Sequence, residues 1–141
     1  MALSADKLIK RAYEGNLKSG LVAADAVIYL GALLCWDTDG YLVPAAATSG
    51  YAVAGTAEEA VDNTGGDDGD LSCVFRWGHE EEFVTASLVQ ADIGKNCFVS
   101  DDATVDDAAT NGTDIKVGHV SEIVDATHVR VVIRDFAASD A

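Results

Sequence analysis

Three groups of side chains in this 141-residue chain have the types and spacing that chemistry needs. Asp37-Thr38-Asp39-Gly40 shares its acid–x–acid start with a calcium loop, which requires alternating oxygen ligands, a Gly at the sixth place and a bidentate Glu at the twelfth. Only two acids precede this Gly, and the twelfth place of any frame falls within Ala45 to Gly50, so the segment reads as a plain hairpin turn. Asp67, Asp68 and Asp70 form a denser acidic loop that could hold a cation loosely, but a flexible, solvated turn is the stronger reading. His79, followed by Glu80, Glu81 and Glu82, offers a metal ligand beside a general base. The other histidines, His119 and His128, lie far away in sequence, so a solvent-facing strand end is expected here instead.

Nucleophilic catalysis would need a Ser or Cys, a His and an acid in one place. No serine stands in a Gly-x-Ser-x-Gly elbow, and neither a phosphate loop nor a dinucleotide fingerprint occurs. Cys35, Cys73 and Cys97 are odd in number, widely spaced and set among apolar neighbours (LLCW, SCVF, NCFV). They read as buried free thiols packed as small hydrophobes, with no disulfide or metal cage. No metal and no cofactor are expected.

The elements that would position these groups are strands. Ile28 to Trp36 and Tyr41 to Val43 flank the Asp39-Gly40 turn, a strong hairpin signal because Asp and Gly tolerate positive φ. Tyr51 to Ala57 and Leu71 to Trp77 follow, separated by the glycine- and aspartate-rich loop 63–70. Gly78-His79 marks a turn from which Glu82 to Thr85 returns. Ser87 to Gly94 has room for one helical turn capped by Ser87. Asn96 to Ser100 is a short strand, and 106–114 is a second polar loop. Ile115 to Val124 and His128 to Arg134 flank Asp125-Ala126-Thr127, with Val129, Val131 and Ile133 alternating against polar neighbours. Trp36, Tyr41, Tyr51, Phe75 and Trp77 are expected in the core or at its edge. Many short strands at about ten-residue spacing indicate an all-β antiparallel sandwich or barrel.

Charge divides the chain. Residues 1–18 hold four bases (Lys7, Lys10, Arg11, Lys18) and two acids, a formal charge of +2; the remainder holds five bases and twenty-two acids, −17. Three segments are therefore expected: a basic N-terminal arm over 1–18, a body over 19–136 and a short polar tail over 137–141. Within the arm, Ala2 to Tyr13 has a partial apolar stripe that suits either a short helix or an extended segment ordering on a partner. The acidic balance disfavours nucleic acid, since phosphate contacts need clustered Lys and Arg. The longest apolar stretch, Ala26 to Trp36, has eleven residues, too few to span a bilayer, and no leader pattern opens the sequence. Synthesis in a cytoplasm, with no membrane partner, is expected.

The order of blocks carries more than any single motif. GNLKSG (15–20) precedes LLCWDTDGYLVPA (33–45) and YAVAGTAEEAVDNTGGDDGD (51–70). CVFRWG (73–78), ADIGKNCFVSDDATV (91–105) and KVGHVSEIVDATHVRVVI (116–133) complete the series. This series resembles the small capsid decoration, or cement, proteins of tailed bacteriophages, above all in Asp92 to Asp102 and in Gly55 to Asn63. The resemblance implies a jelly-roll-like body and a non-enzymatic virion protein on the outer capsid surface. It also implies a homodimer or homotrimer that holds neighbouring major capsid protein subunits together. The family has no catalytic residues to carry over.

The basic cluster supplies the candidate capsid contacts: Lys7, Lys10, Arg11, Tyr13 and Lys18. The alternative is a carbohydrate- or ligand-binding β-sandwich for host attachment, which would need an exposed aromatic platform such as Trp77 with His79 and Glu80.

Overall fold

The computed structural model describes residues 16–108 and 114–133; the helix candidate at 2–13, the tip of the second polar loop and the C-terminal tail lie outside them. Within this range the chain is all-β, with a single 3-10 turn at Gln90–Asp92. Twelve strands follow in order: β1 (Asn16–Leu21), β2 (Val27–Ile28), β3 (Leu33–Trp36), β4 (Leu42–Pro44), β5 (Ala52–Ala57), β6 (Val61–Asp62), β7 (Ser72–Trp77), β8 (Glu80–Val84), β9 (Asn96–Val99), β10 (Val105–Asp106), β11 (Lys116–Asp125) and β12 (His128–Ile133).

Two antiparallel five-stranded sheets carry the architecture. The first runs β1-β7-β5-β3-β4 and the second β10-β9-β11-β12-β8, while β2 and β6 form a small separate pair. Each sheet curls until its outer strands touch. A parallel bridge joins Val22, just after β1, to Leu42 of β4, and another joins Val84 of β8 to Thr104, just before β10. Curling of this kind covers strand edges that would otherwise be templates for aggregation.

The sequence shows why. β3 reads LLCW with no polar alternation because both its faces are covered. Leu33 and Cys35 join Val53, Phe83, Val99, Val117, Val129, Val131 and Ile133 in the core between the sheets. Leu34 turns the other way, into the interior of the first sheet, with Val22, Ile28, Leu42, Cys73 and Phe75. β12 faces one core only and alternates, burying Val129, Val131 and Ile133 while Arg130 stays exposed.

The expected β3–β4 and β11–β12 hairpins form. Asp37 organises the first: its Oδ1 accepts the backbone N–H groups of Asp39 and Tyr41, and Gly40 takes a φ of 87°. Asp125 does the same at the second, accepting from Thr127 N–H and Oγ1–H. These bonds and the His128 ring hold its carboxyl below the usual range.

Three expectations need correction. β8 begins at Glu80 and does not return along β7; the Gly78 turn passes the chain into the second sheet, where β8 pairs with β12. The short helical element is 3-10 and starts after Val89. Its Val89 N–H is held by Asp92 Oδ2, while Ser87 Oγ donates to Asp106 Oδ1 and accepts from Asp107 N–H. At the N-terminal side, β1 begins at Asn16 and pairs with β7 throughout, so Lys18, grouped by charge with the arm, lies inside the first sheet.

Candidate functional site

Of the five candidate contact residues, Lys18 is described, and Lys7, Lys10, Arg11 and Tyr13 lie outside the described residues. Lys18 stands opposite Phe75 of β7, with its Nζ 4.7 Å from the centroid of the Trp77 ring at the end of that strand. An ammonium over an indole face is attracted by the ring quadrupole, by about 0.5–1 kcal/mol at an exposed site. One face of Trp77 is occupied by Lys18, and His79, only 6% exposed, is turned inward. The buried His79 is therefore not part of an exposed surface with Trp77 and Glu80.

The burial of His79 overturns the expected solvent-facing strand end. Its ring packs where the chain crosses from the first sheet to the second, and its carbonyl accepts from Ile133 N–H of β12. His79 Nε2 lies 2.9 Å from Glu81 Oε1 and 3.1 Å from Thr56 Oγ1, and the Thr56 hydroxyl donates to the same Glu81 oxygen at 3.0 Å. Thr56 belongs to β5 and Glu81 to β8, so the cluster links the two sheets. The glutamates around His79 argued for solvent, and nothing local in the sequence points to Thr56 as a partner.

A hydroxyl, an imidazole and a carboxylate together invite comparison with a catalytic triad. In a triad the acid orients the ring through one nitrogen, and the other nitrogen takes the nucleophile's proton. Here the hydroxyl and the carboxylate converge on the same nitrogen, and Nδ1 has no hydrogen-bond partner among the described residues. Thr56 is also 2% exposed, out of a substrate's reach. The cluster is a polar latch. Replacing Thr56 by Val, which keeps the shape and removes the hydroxyl, should lower unfolding stability by about 1–2 kcal/mol in urea titration. An unchanged midpoint would show that the hydroxyl holds nothing.

The acidic loop 63–70 is more ordered by bonding than its composition suggested. Asn63, 3% exposed, donates from Nδ2 to the carbonyls of Ala23 and Asp67 at 2.9 and 3.1 Å. Asp68 Oδ1 accepts from Ala24 N–H, Asp70 Oδ2 from Asp67 N–H, and Asp25 Oδ1 from Gly65 N–H. The carboxylates of Asp25, Asp68 and Asp70 thus fix the backbone. Asp62 joins them, its carboxyl held below the usual range by the Thr64 hydroxyl and N–H. Among the described residues no group of three or more His, Cys, Asp or Glu side chains is gathered in a way that could hold a metal ion.

All three cysteines are free and buried, as their neighbours predicted. Burial pushes the Cys35 and Cys97 thiols up to about 12 and, with the Glu59 carboxylate adding to it, Cys73 to about 11. Thiols so far from ionising are poor nucleophiles and poor metal ligands at neutral pH.

No protein-family model matches the chain, and no curated protein is significantly similar to it.

Proposed function

We propose that the chain is a capsid cement protein of a tailed-phage head, a non-enzymatic component that binds the outer surface of the lattice and ties neighbouring major capsid subunits together. The observation that carries this reading is the agreement between the sequence blocks and the strand units. LLCWDTDGYLVPA is the β3–β4 hairpin, CVFRWG is β7 and KVGHVSEIVDATHVRVVI is the β11–β12 hairpin. The blocks that resemble decoration proteins are thus the framework of the body, in an all-β architecture of the kind the resemblance implies.

The physics of the role is compatible with this composition. A bridging protein reinforces a shell through many modest contacts repeated over a closed surface, so affinity per contact need not be high. A formal charge of −15 keeps free copies apart before assembly. At physiological salt that repulsion reaches only about 8 Å, which leaves specific docking possible.

In this reading Lys7, Lys10, Arg11, Tyr13 and Lys18 contact the lattice. Deleting residues 1–14 should leave the body folded, with an unchanged circular dichroism spectrum. It should also weaken co-sedimentation with empty heads at least tenfold. Heads decorated by the truncated protein as fully as by the intact one would remove the role of the basic cluster.

A further inference from the structure

The two halves of the body share one architecture. Every strand of the first sheet precedes Gly78, and every strand of the second follows it. In chain order the sheet strands are β1, β3, β4, β5 and β7 in the first half and β8 to β12 in the second. Across the sheet both sets run first, fifth, fourth, second, third. The match extends to single residues. Leu33, Leu34 and Cys35 of β3 stand opposite Thr56, Gly55 and Val53 of β5, skipping Ala54. Asn96, Cys97 and Phe98 of β9 stand opposite His119, Gly118 and Lys116 of β11, skipping Val117. Each member of the second set lies 63 positions after its counterpart.

The connections repeat as well. Gly31, at a φ of 85°, donates to Ala57 O, and Ala57 N–H returns to Ala32 O. Gly94, at 82°, donates to Val120 O, and Val120 N–H returns to Lys95 O. Leu21 opposite Ser72 corresponds to Val84 opposite His128. The last strand comes only 56 positions on, because the segment holding β6 and the acidic loop has a shorter hairpin as its counterpart.

A two-fold pairing of the halves would cover the same positions on both. It does not occur. Leu33, Cys35 and Val53 are buried, whereas their counterparts Asn96 and Lys116 are exposed and Phe98 is half-buried. The second half docks on this covered face of the first, with Glu81 accepting from the Thr56 hydroxyl and the Asp102 carbonyl from Leu33 N–H. The counterparts of Glu81 and Asp102 are Lys18 and Asp39, and both are exposed. The halves are therefore stacked head to tail, with one free end of each kind.

We infer that the body is a tandem duplication of one strand unit, and that Asn96 and Lys116 end the stack at two. Arrays of stacked repeats need a polar outer face on their terminal units. With apolar residues at these two positions, the face would take the first repeat of a second copy of this chain. That repeat keeps its docking end free, and has Trp36 and Trp77 where the second repeat has Val99 and Ile133, which share a core with Leu33. Neither step depends on the cement reading.

The test compares two double variants of the full chain that add the same side chains. Asn96→Leu/Lys116→Val gives the second repeat the residues of the first repeat's covered face. Glu80→Leu/Glu82→Val places the same pair at exposed positions of β8. Sedimentation velocity over a range of loading concentrations reads the mean mass, with labelled wild-type protein added as a tracer. The mass of the first variant should rise with concentration to at least twice that of wild type. The tracer should sediment with it, because wild-type chains carry the free first-repeat end. The β8 control should keep the wild-type mass. Should the double variant lower the thermal midpoint, Asn96→Leu alone should still gain mass with concentration and recruit the tracer.

A wild-type mass in both face variants overturns the inference, and so does equal growth of the control, since any added apolar pair would then suffice. Growth that excludes the tracer also overturns it, because the altered face would then pair with itself.

Discussion

Gly55→Ala should destabilise the protein by about 3 kcal/mol or more, enough to lower the thermal midpoint by roughly 10 °C in a domain of this size. Gly55 sits in β5 at an irregularity of the β3–β5 ladder, opposite Leu34, next to the residues that begin the pairing with β7. A Cβ there would lie 2.1 Å from the Arg76 carbonyl oxygen and 2.9 Å from its carbon, with Phe75 Cδ2 at 3.1 Å. The obstacle is backbone, held in the sheet by its own ladder, so neither side can yield without separating β5 from β7. Replacing Gly by Ala also restricts the unfolded chain, but that gain is only about 0.4–1 kcal/mol. The clash therefore wins. Gly31→Ala is the informative comparison: its φ is 85°, yet a Cβ there would meet nothing within 4 Å. The cost at Gly31 is conformational alone, about 1–2 kcal/mol. Equal urea midpoints for the two variants would disprove the close approach of β5 and β7.

How much of this was legible in the sequence depends on whether the cause is local. The β3–β4 turn is encoded within five residues, since Asp37 binds the N–H groups of Asp39 and Tyr41 and Gly40 supplies the positive φ. The β11–β12 hairpin is written in the alternation of Val129, Val131 and Ile133, and the thiols in their apolar neighbours. What escaped has partners far along the chain. Nothing between Gly78 and Thr85 encodes that β8 will pair with β12, more than forty residues on. His79 looked exposed because three glutamates follow it, yet its environment is set by Thr56 of another sheet. Asn63 read as a loop residue. Its buried amide, bonded to Ala23 and Asp67, is what organises the acidic loop. The candidate contact residues were found by charge alone, which gives a cluster in sequence and no geometry. The strand register then placed Lys18 beside Trp77.

Alkaline pH should unfold the protein earlier than its tyrosines and lysines alone would dictate, because three thiols are buried in their neutral form. The ordinary value for these thiols is 9.0, and burial raises Cys35 and Cys97 to about 12 and Cys73 to about 11. Each folded-state value lies above the unfolded one, so the contribution to stability is complete below pH 9 and is lost as pH rises from there toward the folded values. In that window the unfolded chain has released protons that the native state still holds, and stability falls with pH. By about pH 10.5 the loss is on the order of 2 kcal/mol for each fully enclosed thiol, a large share of the roughly 5–15 kcal/mol typical of a domain. Urea titrations at pH 7 and 10.5 would measure it, with Cys97→Ala as the control. That variant should be less stable at pH 7, because it loses packing in the core between the sheets, where Cys97 is 0% exposed. It should also lose less stability between the two pH values, by about one thiol's share. Tyrosine and lysine titration is common to both proteins and cancels in the comparison. If the two lose stability in parallel, Cys97 ionises as freely in the folded protein as in the unfolded chain, and the core around it is open to water.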